Sequence, residues 1–206
     1  MISLPIEIAL FLAASYVVGG IPFGLYVGKR FFNVDIREHG SKNIGATNAY
    51  RVLGKKAGAA VWCLDVGKGL LPVLLAKQLF PHHDWAIIGA GFAAIMGHTY
   101  SPFLGFAGGK GVATSLGVGF GLSWKGCAAA MGVWTLLRFV TGYVSVASLL
   151  GTPVGCYLVW AENGKSLPYG VFCAFVAILV IVKHRSNIGR LLKGTEPKMS
   201  AQKKAE

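Results

Sequence analysis

Seven long apolar runs divide this chain, and they constrain its fold more than any other feature. They cover residues 4–27, 57–79, 85–96, 112–124, 127–140, 143–160 and 169–182. A helix that crosses a bilayer needs about 20 apolar residues, so 206 residues with short loops leave room for these runs and for no separate soluble domain. Charged residues make up only 14% of the chain, against about 25% in an ordinary soluble domain. The expected fold is therefore all-α: one integral membrane domain over residues 1–206, polytopic, with about seven transmembrane helices. A polar, disordered tail is expected over about 197–206. The runs at 85–96 and 112–124 reach only about 18–20 Å at 1.5 Å per residue. They must extend past these limits or end inside the protein, which is tolerated where a broken helix lines a cavity. The first run is too long, and lacks the basic flank, for a cleavable signal peptide.

Charge sets the orientation. Lys and Arg number 20 against 8 Asp and Glu, a net charge of +12. With the amino terminus outside, the cytoplasmic segments 28–56, 97–111, 138–142 and 183 onward hold seven, one, one and seven of the cations, 16 of the 20. That is the excess of basic residues expected of cytoplasmic loops. The carboxyl terminus then lies inside, and Trp85, Trp124 and Trp160 fall at the outer interface, where aromatic residues concentrate.

Three polar segments are too rich in glycine, hydroxyl, amide and cationic residues to be mere connectors, and this topology puts all three on the cytoplasmic face. The first, residues 40–51, brings Gly40, Ser41, Asn43, Gly45, Thr47, Asn48 and Arg51, a set of hydrogen-bonding groups with glycines where backbone can approach a ligand. The second runs Gly108, Gly109, Lys110, Gly111, Val112, Ala113, Thr114, immediately before an apolar helix. Backbone N–H groups at a helix amino terminus, the helix dipole and the Lys110 charge together suit a phosphate. The Walker spacing is absent, so ATP is not implied. The third begins just past the last run with His184, Arg185 and Asn187, and continues to Arg190 and Glu196. If the last helix continues, His184, Asn187 and Leu191 share one face. Within the second run Asp65 and Lys68 stand three residues apart on one helical face, a costly arrangement in a membrane that reads here as support for the site. His98 opens the loop that leads to the Gly-rich segment, as a ligand or a cap. The four Cys show no paired spacing and read as small packing residues.

These blocks resemble the signature motifs of the bacterial acyl-phosphate:glycerol-3-phosphate acyltransferases, the PlsY family. The match lies in Gly-Ser-x-Asn-x-Gly-Ala-Thr-Asn with a following Arg at 40–51, Gly-Gly-Lys-Gly-Val-Ala-Thr at 108–114, His-Arg-x-Asn-Ile-x-Arg-Leu-x-x-Gly-Thr-Glu at 184–196, and Asp-x-x-Lys-Gly at 65–69. Ala107 stands where many members carry a basic residue, and residues 98–103 are spelled differently from many.

The resemblance implies transfer of a fatty acyl group from acyl phosphate to the sn-1 hydroxyl of glycerol 3-phosphate, giving lysophosphatidate and phosphate, the first step of phospholipid synthesis. It implies a multi-pass enzyme of the bacterial inner membrane, with its site facing the cytoplasm and the enzyme that makes acyl phosphate as a partner beside membrane lipid. On this reading Lys110 and the amides of Gly108, Gly109 and Gly111 hold a phosphoryl group. Ser41, Arg51 and Asn187 position glycerol phosphate, and His184 orients or polarises a reacting group. Gly40, Asn43, Gly45, Thr47, Asn48, Thr114, Arg185, Arg190 and Glu196 complete the binding set, with Asp65, Lys68 and His98 as support. The His-x-x-x-x-Asp pattern of many other glycerolipid acyltransferases is absent. An acyl phosphate already has a good leaving group, so positioning and charge neutralisation suffice, with a substrate phosphate oxygen taking the proton. No residue pattern calls for a metal, an organic cofactor or nucleic acid. The alternative from another class is a small membrane transporter of phosphorylated anions, whose pore the same basic segments could line.

Overall fold

A computed structural model describes residues 3–199. It is all-helical among the described residues: α1 (Leu4–Gly20), α2 (Phe23–Phe32), α3 (Ala46–Leu53), α4 (Lys55–Leu79), α5 (Asp84–Thr99), α6 (Val112–Leu122), α7 (Trp124–Thr141), α8 (Val144–Glu162), α9 (Leu167–Lys183) and α10 (Arg185–Leu192), with a 3-10 turn at Pro102–Leu104. Each apolar run is helical. The first is split, because Pro22 has no N–H to continue the ladder and pushes Ile21 out of helical geometry. The result is a 41° bend between α1 and α2.

Two helices, α4 and α8, are long and apolar enough to cross a bilayer alone. The bent pairs α1 with α2 and α9 with α10 would each reach as one broken span. The 11 residues of α6 rise only about 16 Å, and α5 and α7 are intermediate in length. Of the two runs too short to span, that at 112–124 stays short as α6, while that at 85–96 extends past its limits into the 16 residues of α5.

The chain divides into two compact units, one up to Leu122 and one from Ser123. In the first, α4 is the platform. Helix α6 lies against it so closely that a Cβ on Gly69 would meet the Thr114 carbonyl oxygen at 2.2 Å, and one on Gly117 the Val66 carbonyl oxygen at 2.0 Å. Helices α1 and α5 meet in the same way, Gly19 on the Ala94 backbone and Gly97 on the Tyr16 carbonyl. With little hydrophobic drive between helices in lipid, such small-residue contacts let dispersion between backbones hold them together. A small core of Val27, Ile36, Ala49, Ala57 and Val61 joins α2, α3 and α4.

In the second unit α8 packs between α7 and α9. Gly151 faces Trp134, Gly155 faces Ala130, and the Trp134 indole N–H donates to Ser148 Oγ at 3.2 Å. The Ser123 hydroxyl, which caps α7, hydrogen-bonds the Glu162 carboxylate. Of the tail expected from about 197, the first residues are docked: the Met199 N–H donates to the Gly142 carbonyl at 3.1 Å, and the Lys198 ammonium sits 5.5 Å over the Tyr143 ring. Residues 200–206 lie outside the described residues.

The α4 to α6 contact yields a test within one helix. Gly69→Ala places a methyl against backbone that cannot move cheaply and should cost about 1–3 kcal/mol, a fall of several degrees in Tm. Gly67→Ala, where a Cβ meets nothing within 4 Å, should leave Tm unchanged or raise it slightly. Equal melting of the two variants in detergent would refute the packing account.

Candidate active site

The first polar block is shaped by its own side chains. Asp35 accepts two hydrogen bonds from the Arg37 side chain, at 2.9 and 2.7 Å, and pairs with Lys29 at 3.2 Å. The Arg37 hydrogen bond holds the Asp35 carboxyl well below the usual carboxylate range, so this clasp on the loop stays ionised. Past it the chain turns through Gly40 and Lys42, both in the left-handed region at φ +58°. Buried Asn48 closes the loop from α3. Its Oδ1 accepts the Ser41 N–H at 2.8 Å, and its Nδ2 donates to the Ile36 and His39 carbonyls at 2.7 and 3.1 Å. A Cβ on Gly40 would strike Asn48 Oδ1 at 2.4 Å. Asn43 Oδ1 likewise accepts the Gly45 N–H at 2.9 Å. These contacts make Asn48 and Asn43 the loop's internal frame. They leave Ser41 exposed, and Thr47 and Arg51 half-buried on α3.

The Gly-rich block lies on the carboxyl end of α5. The Gly109 N–H donates to the His98 carbonyl at 3.0 Å. A Cβ on Gly108 would stand 2.1 Å from that carbonyl oxygen, and one on Gly109 would stand 2.0 Å from His98 Nε2. Gly111 has φ +81°. The glycines are thus required by close approach and by conformation, and they turn the loop directly into the amino end of α6. Lys110 is half-buried at that end. Beside the turn, the buried hydroxyls of Thr99 and Ser115 have no hydrogen-bond partner among the described residues; the Thr99 Oγ1 lies 3.1 Å and the Ser115 Oγ 3.9 Å from where a Gly111 Cβ would stand, while Thr114 lies against Gly69 of α4. Neither Thr99 nor Ser115 belongs to the motifs, and only the repeated hydroxyls at 99, 114 and 115 beside the glycines could have signalled them.

Asp65 and Lys68, read as support, form a buried ion pair at 2.7 Å. Lys68 Nζ also donates to the Ile21 carbonyl at the α1 to α2 break, at 2.8 Å, and His98 Nδ1 stands 3.7 Å from Asp65. The first two blocks, with this cluster, all belong to the first unit.

The third block belongs to the second unit, and its geometry differs from a continued helix. The chain bends 54° between α9 and α10 at His184. The His184 Nδ1 sits 2.8 Å from the Val180 carbonyl, which requires the proton on Nδ1 and leaves Nε2 as the lone-pair nitrogen of the neutral ring. Gly194, at φ +67°, folds the chain back so that Glu196 reaches α10. The Asn187 Nδ2 donates to Glu196 Oε1 at 2.6 Å and the Arg190 Nε to Oε2 at 2.7 Å. Burial raises the Glu196 carboxyl, but the hydrogen bonds from Asn187 and Arg190 outweigh it and hold the group below its ordinary range. Glu196 therefore orients Asn187, while Arg185 points to solvent or lipid as an exposed side chain. Among the described residues no group of three His, Cys, Asp or Glu gathers to hold a metal ion.

The chemistry of these parts is that of anion handling: a Gly-rich turn with a Lys at a helix start, a framed loop presenting Ser41 ahead of the helix that carries Arg51, and a buried His and Asn of fixed orientation. Comparison with known proteins is in accord. The family model for glycerol-3-phosphate acyltransferase matches residues 9–194. The glycerol-3-phosphate acyltransferase of Gloeobacter violaceus is 44% identical over 193 residues, 91% of this chain and 92% of that protein. That of Desulfotalea psychrophila is 46% identical, over 88% of this chain and 93% of its own. A crystal structure of PlsY, an integral membrane glycerol 3-phosphate acyltransferase in its glycerol 3-phosphate form, superposes with a TM-score of 0.88 at 38% identity, covering 93% of this chain and 95% of that one. The lysophosphatidic acid form of PlsY gives 0.86. A transporter is not what these relatives are, and the chain belongs to the glycerol-3-phosphate acyltransferase family, the PlsY family of integral membrane enzymes.

Proposed function

We propose that this glycerol-3-phosphate acyltransferase takes its acyl group from an acyl phosphate and works at the cytoplasmic face of the bacterial inner membrane. The observation that carries the reading is the Gly-rich turn on His98 and Thr99: its glycines are sterically obligatory, Lys110 stands at the start of α6, and the buried hydroxyls of Thr99 and Ser115 beside it have no partner among the described residues. Such a turn suits a phosphoryl group. The excess of cations in the segments read as cytoplasmic supports the orientation, with the amino terminus outside and the carboxyl terminus inside.

In the reaction the sn-1 oxygen of glycerol 3-phosphate forms the new ester bond to the acyl carbon, and the bond from that carbon to the phosphate oxygen breaks. The hydroxyl proton passes to a phosphate oxygen, and lysophosphatidate and inorganic phosphate leave. Lys110 and the amides of this turn other than that of Gly109, whose N–H is taken by the His98 carbonyl, neutralise charge that grows on the departing phosphate. Ser41, Arg51 and Asn187 position glycerol phosphate, with Gly40, Gly45, Thr47, Arg185 and Arg190 in the binding set. His184 orients or polarises a reacting group through Nε2. Asn43, Asn48 and Glu196 act by framing the residues that bind. The enzyme that supplies acyl phosphate is the expected partner, since the donor is a reactive anhydride with a lipid tail.

Purified protein in lipid should form lysophosphatidate from glycerol 3-phosphate and an acyl phosphate, and release one phosphate per turnover. Activity with an acyl thioester and none with acyl phosphate would overturn the donor. Lys110→Ala should lower kcat/KM by about 100-fold or more with Tm retained; near-normal turnover would remove Lys110 from its role.

Glu196 carries a pH prediction. Its carboxyl is depressed in the folded protein, so its stabilisation is present above the ordinary Glu range and is lost as pH falls through that range toward the depressed value. Glu196→Gln should therefore melt lower than the parent at pH 7, by an amount corresponding to about 2 kcal/mol, and the gap should begin to narrow as pH falls through the ordinary Glu range and close only below the depressed value. A gap that is constant with pH would mean that the carboxylate charge is not what holds Asn187.

A further inference from the structure

A line of buried charged and polar groups runs from the α1 to α2 break to the Gly-rich turn, and phosphate binding does not account for it. The Ile21 carbonyl accepts from Lys68 at 2.8 Å. Lys68 pairs with Asp65 at 2.7 Å, and Asp65 faces His98 Nδ1 at 3.7 Å. The opposite edge of the imidazole lies on Gly109: a Cβ there would be 2.0 Å from Nε2, 2.8 Å from Cε1 and 3.0 Å from Cδ2. Asp65, Lys68 and His98 are exposed by 2, 4 and 4%.

Ion pairs taken out of water are costly, and closing the helix break does not need one. The neighbouring carbonyl, Gly20, is satisfied by the neutral Ser101 hydroxyl at 2.6 Å. What the charged pair adds is a buried carboxylate 3.7 Å behind the imidazole, beyond hydrogen-bond length but within reach of its field. His98 meets the turn twice, through its carbonyl, which accepts the Gly109 N–H at 3.0 Å, and through its ring, which bars Gly109 from moving inward. A ring with a carboxylate behind it and the turn in front of it sets the direction of the turn's amides.

We infer that His98 is a positioning residue for the Gly108, Gly109, Lys110 turn, with Asp65 and Lys68 as its anchor. It rests on the reading of that turn as the phosphoryl seat. The ring acts on Gly109, and Gly109 on the amides and on Lys110; His98 itself does not touch substrate.

The test is a double-mutant cycle on glycerol-3-phosphate acylation, with amide hydrogen exchange of residues 108–111 and Tm recorded for each variant. His98→Asn keeps an amide near the place of Nδ1 for Asp65 and deletes the ring atoms that meet Gly109. It should fold, lower kcat/KM about 10-fold, and speed exchange in the turn. Gly109→Ala drives a methyl into the imidazole and should cost about 100-fold. In the double variant the methyl takes the space the ring leaves, so the loss should be no greater than that of Gly109→Ala alone, at least about 10-fold less than the product of the two. Losses that multiply, or a His98→Asn protein with parental kinetics and parental exchange, would overturn the inference. A purely structural His98 would lower Tm and show no coupling to Gly109. Exchange is read without substrate, so it tests the positioning even if Lys110→Ala proves active and the phosphoryl seat lies elsewhere.

Discussion

A helix that stops inside an apolar body exposes carbonyls that no water can satisfy, and in this chain polar side chains are placed at those stops. Ser101 answers Gly20 and Lys68 answers Ile21 where α1 breaks. At the end of α9 the Val180 carbonyl takes both the His184 N–H at 3.0 Å and the His184 Nδ1 at 2.8 Å. An unpaired buried carbonyl costs free energy comparable to a lost hydrogen bond, so each break is possible only where such a donor exists. The functional segments begin where these helices end. The rule that allows irregular backbone within the protein thereby decides where ligand-binding backbone can be put.

Close backbone approach is the second condition, and α4 carries most of it. Gly58 takes the Tyr50 backbone of α3, and Gly69 takes the Thr114 carbonyl of α6. These positions are eleven residues apart, about 16 Å along the helix. The two polar blocks of the first unit are therefore set by one rigid rod. Their spacing is a property of α4 itself, independent of the loops that carry the chemistry. Side chains larger than hydrogen at either point would shift a whole helix, and with it a block.

Much of this was legible in the residues. The seven apolar runs became helical, and of the two short ones that at 112–124 is a short helix while that at 85–96 extends to 16 residues. The break at Ile21 was not foreseen, because the run stays apolar through Pro22 and periodicity does not register a missing N–H. The bend at His184 was hidden for the same reason, since nothing in His-Arg-Ser-Asn opposes a helix. In the site, residue type marked the blocks but could not separate groups that bind from groups that frame. Asn48 and Asn43 look like ligands in a motif, and only the geometry shows their polar atoms turned onto Ser41, Ile36, His39 and Gly45. Asp35 went unremarked among cations, although it fixes the loop on which Ser41 stands. Glu196 reads as an acidic stranger in a basic segment, and its purpose is visible only once Gly194 has folded it back onto Asn187.

The hydroxyls of Thr99 and Ser115 bear on why such a site tolerates its own cost. An unpaired buried donor costs about 1–3 kcal/mol, and two at one turn are a sizeable fraction of the 5–15 kcal/mol that holds a typical protein folded. A pair of unmatched hydroxyls beside an obligatory Gly-rich turn and a Lys is what electrostatic preorganisation requires: dipoles held in place before charge develops, so that little reorganisation is left for the reaction itself. Valine at 99, nearly the same shape, would remove the unpaired hydroxyl and with it a dipole facing the turn, so that fold and chemistry pull in opposite directions at this position.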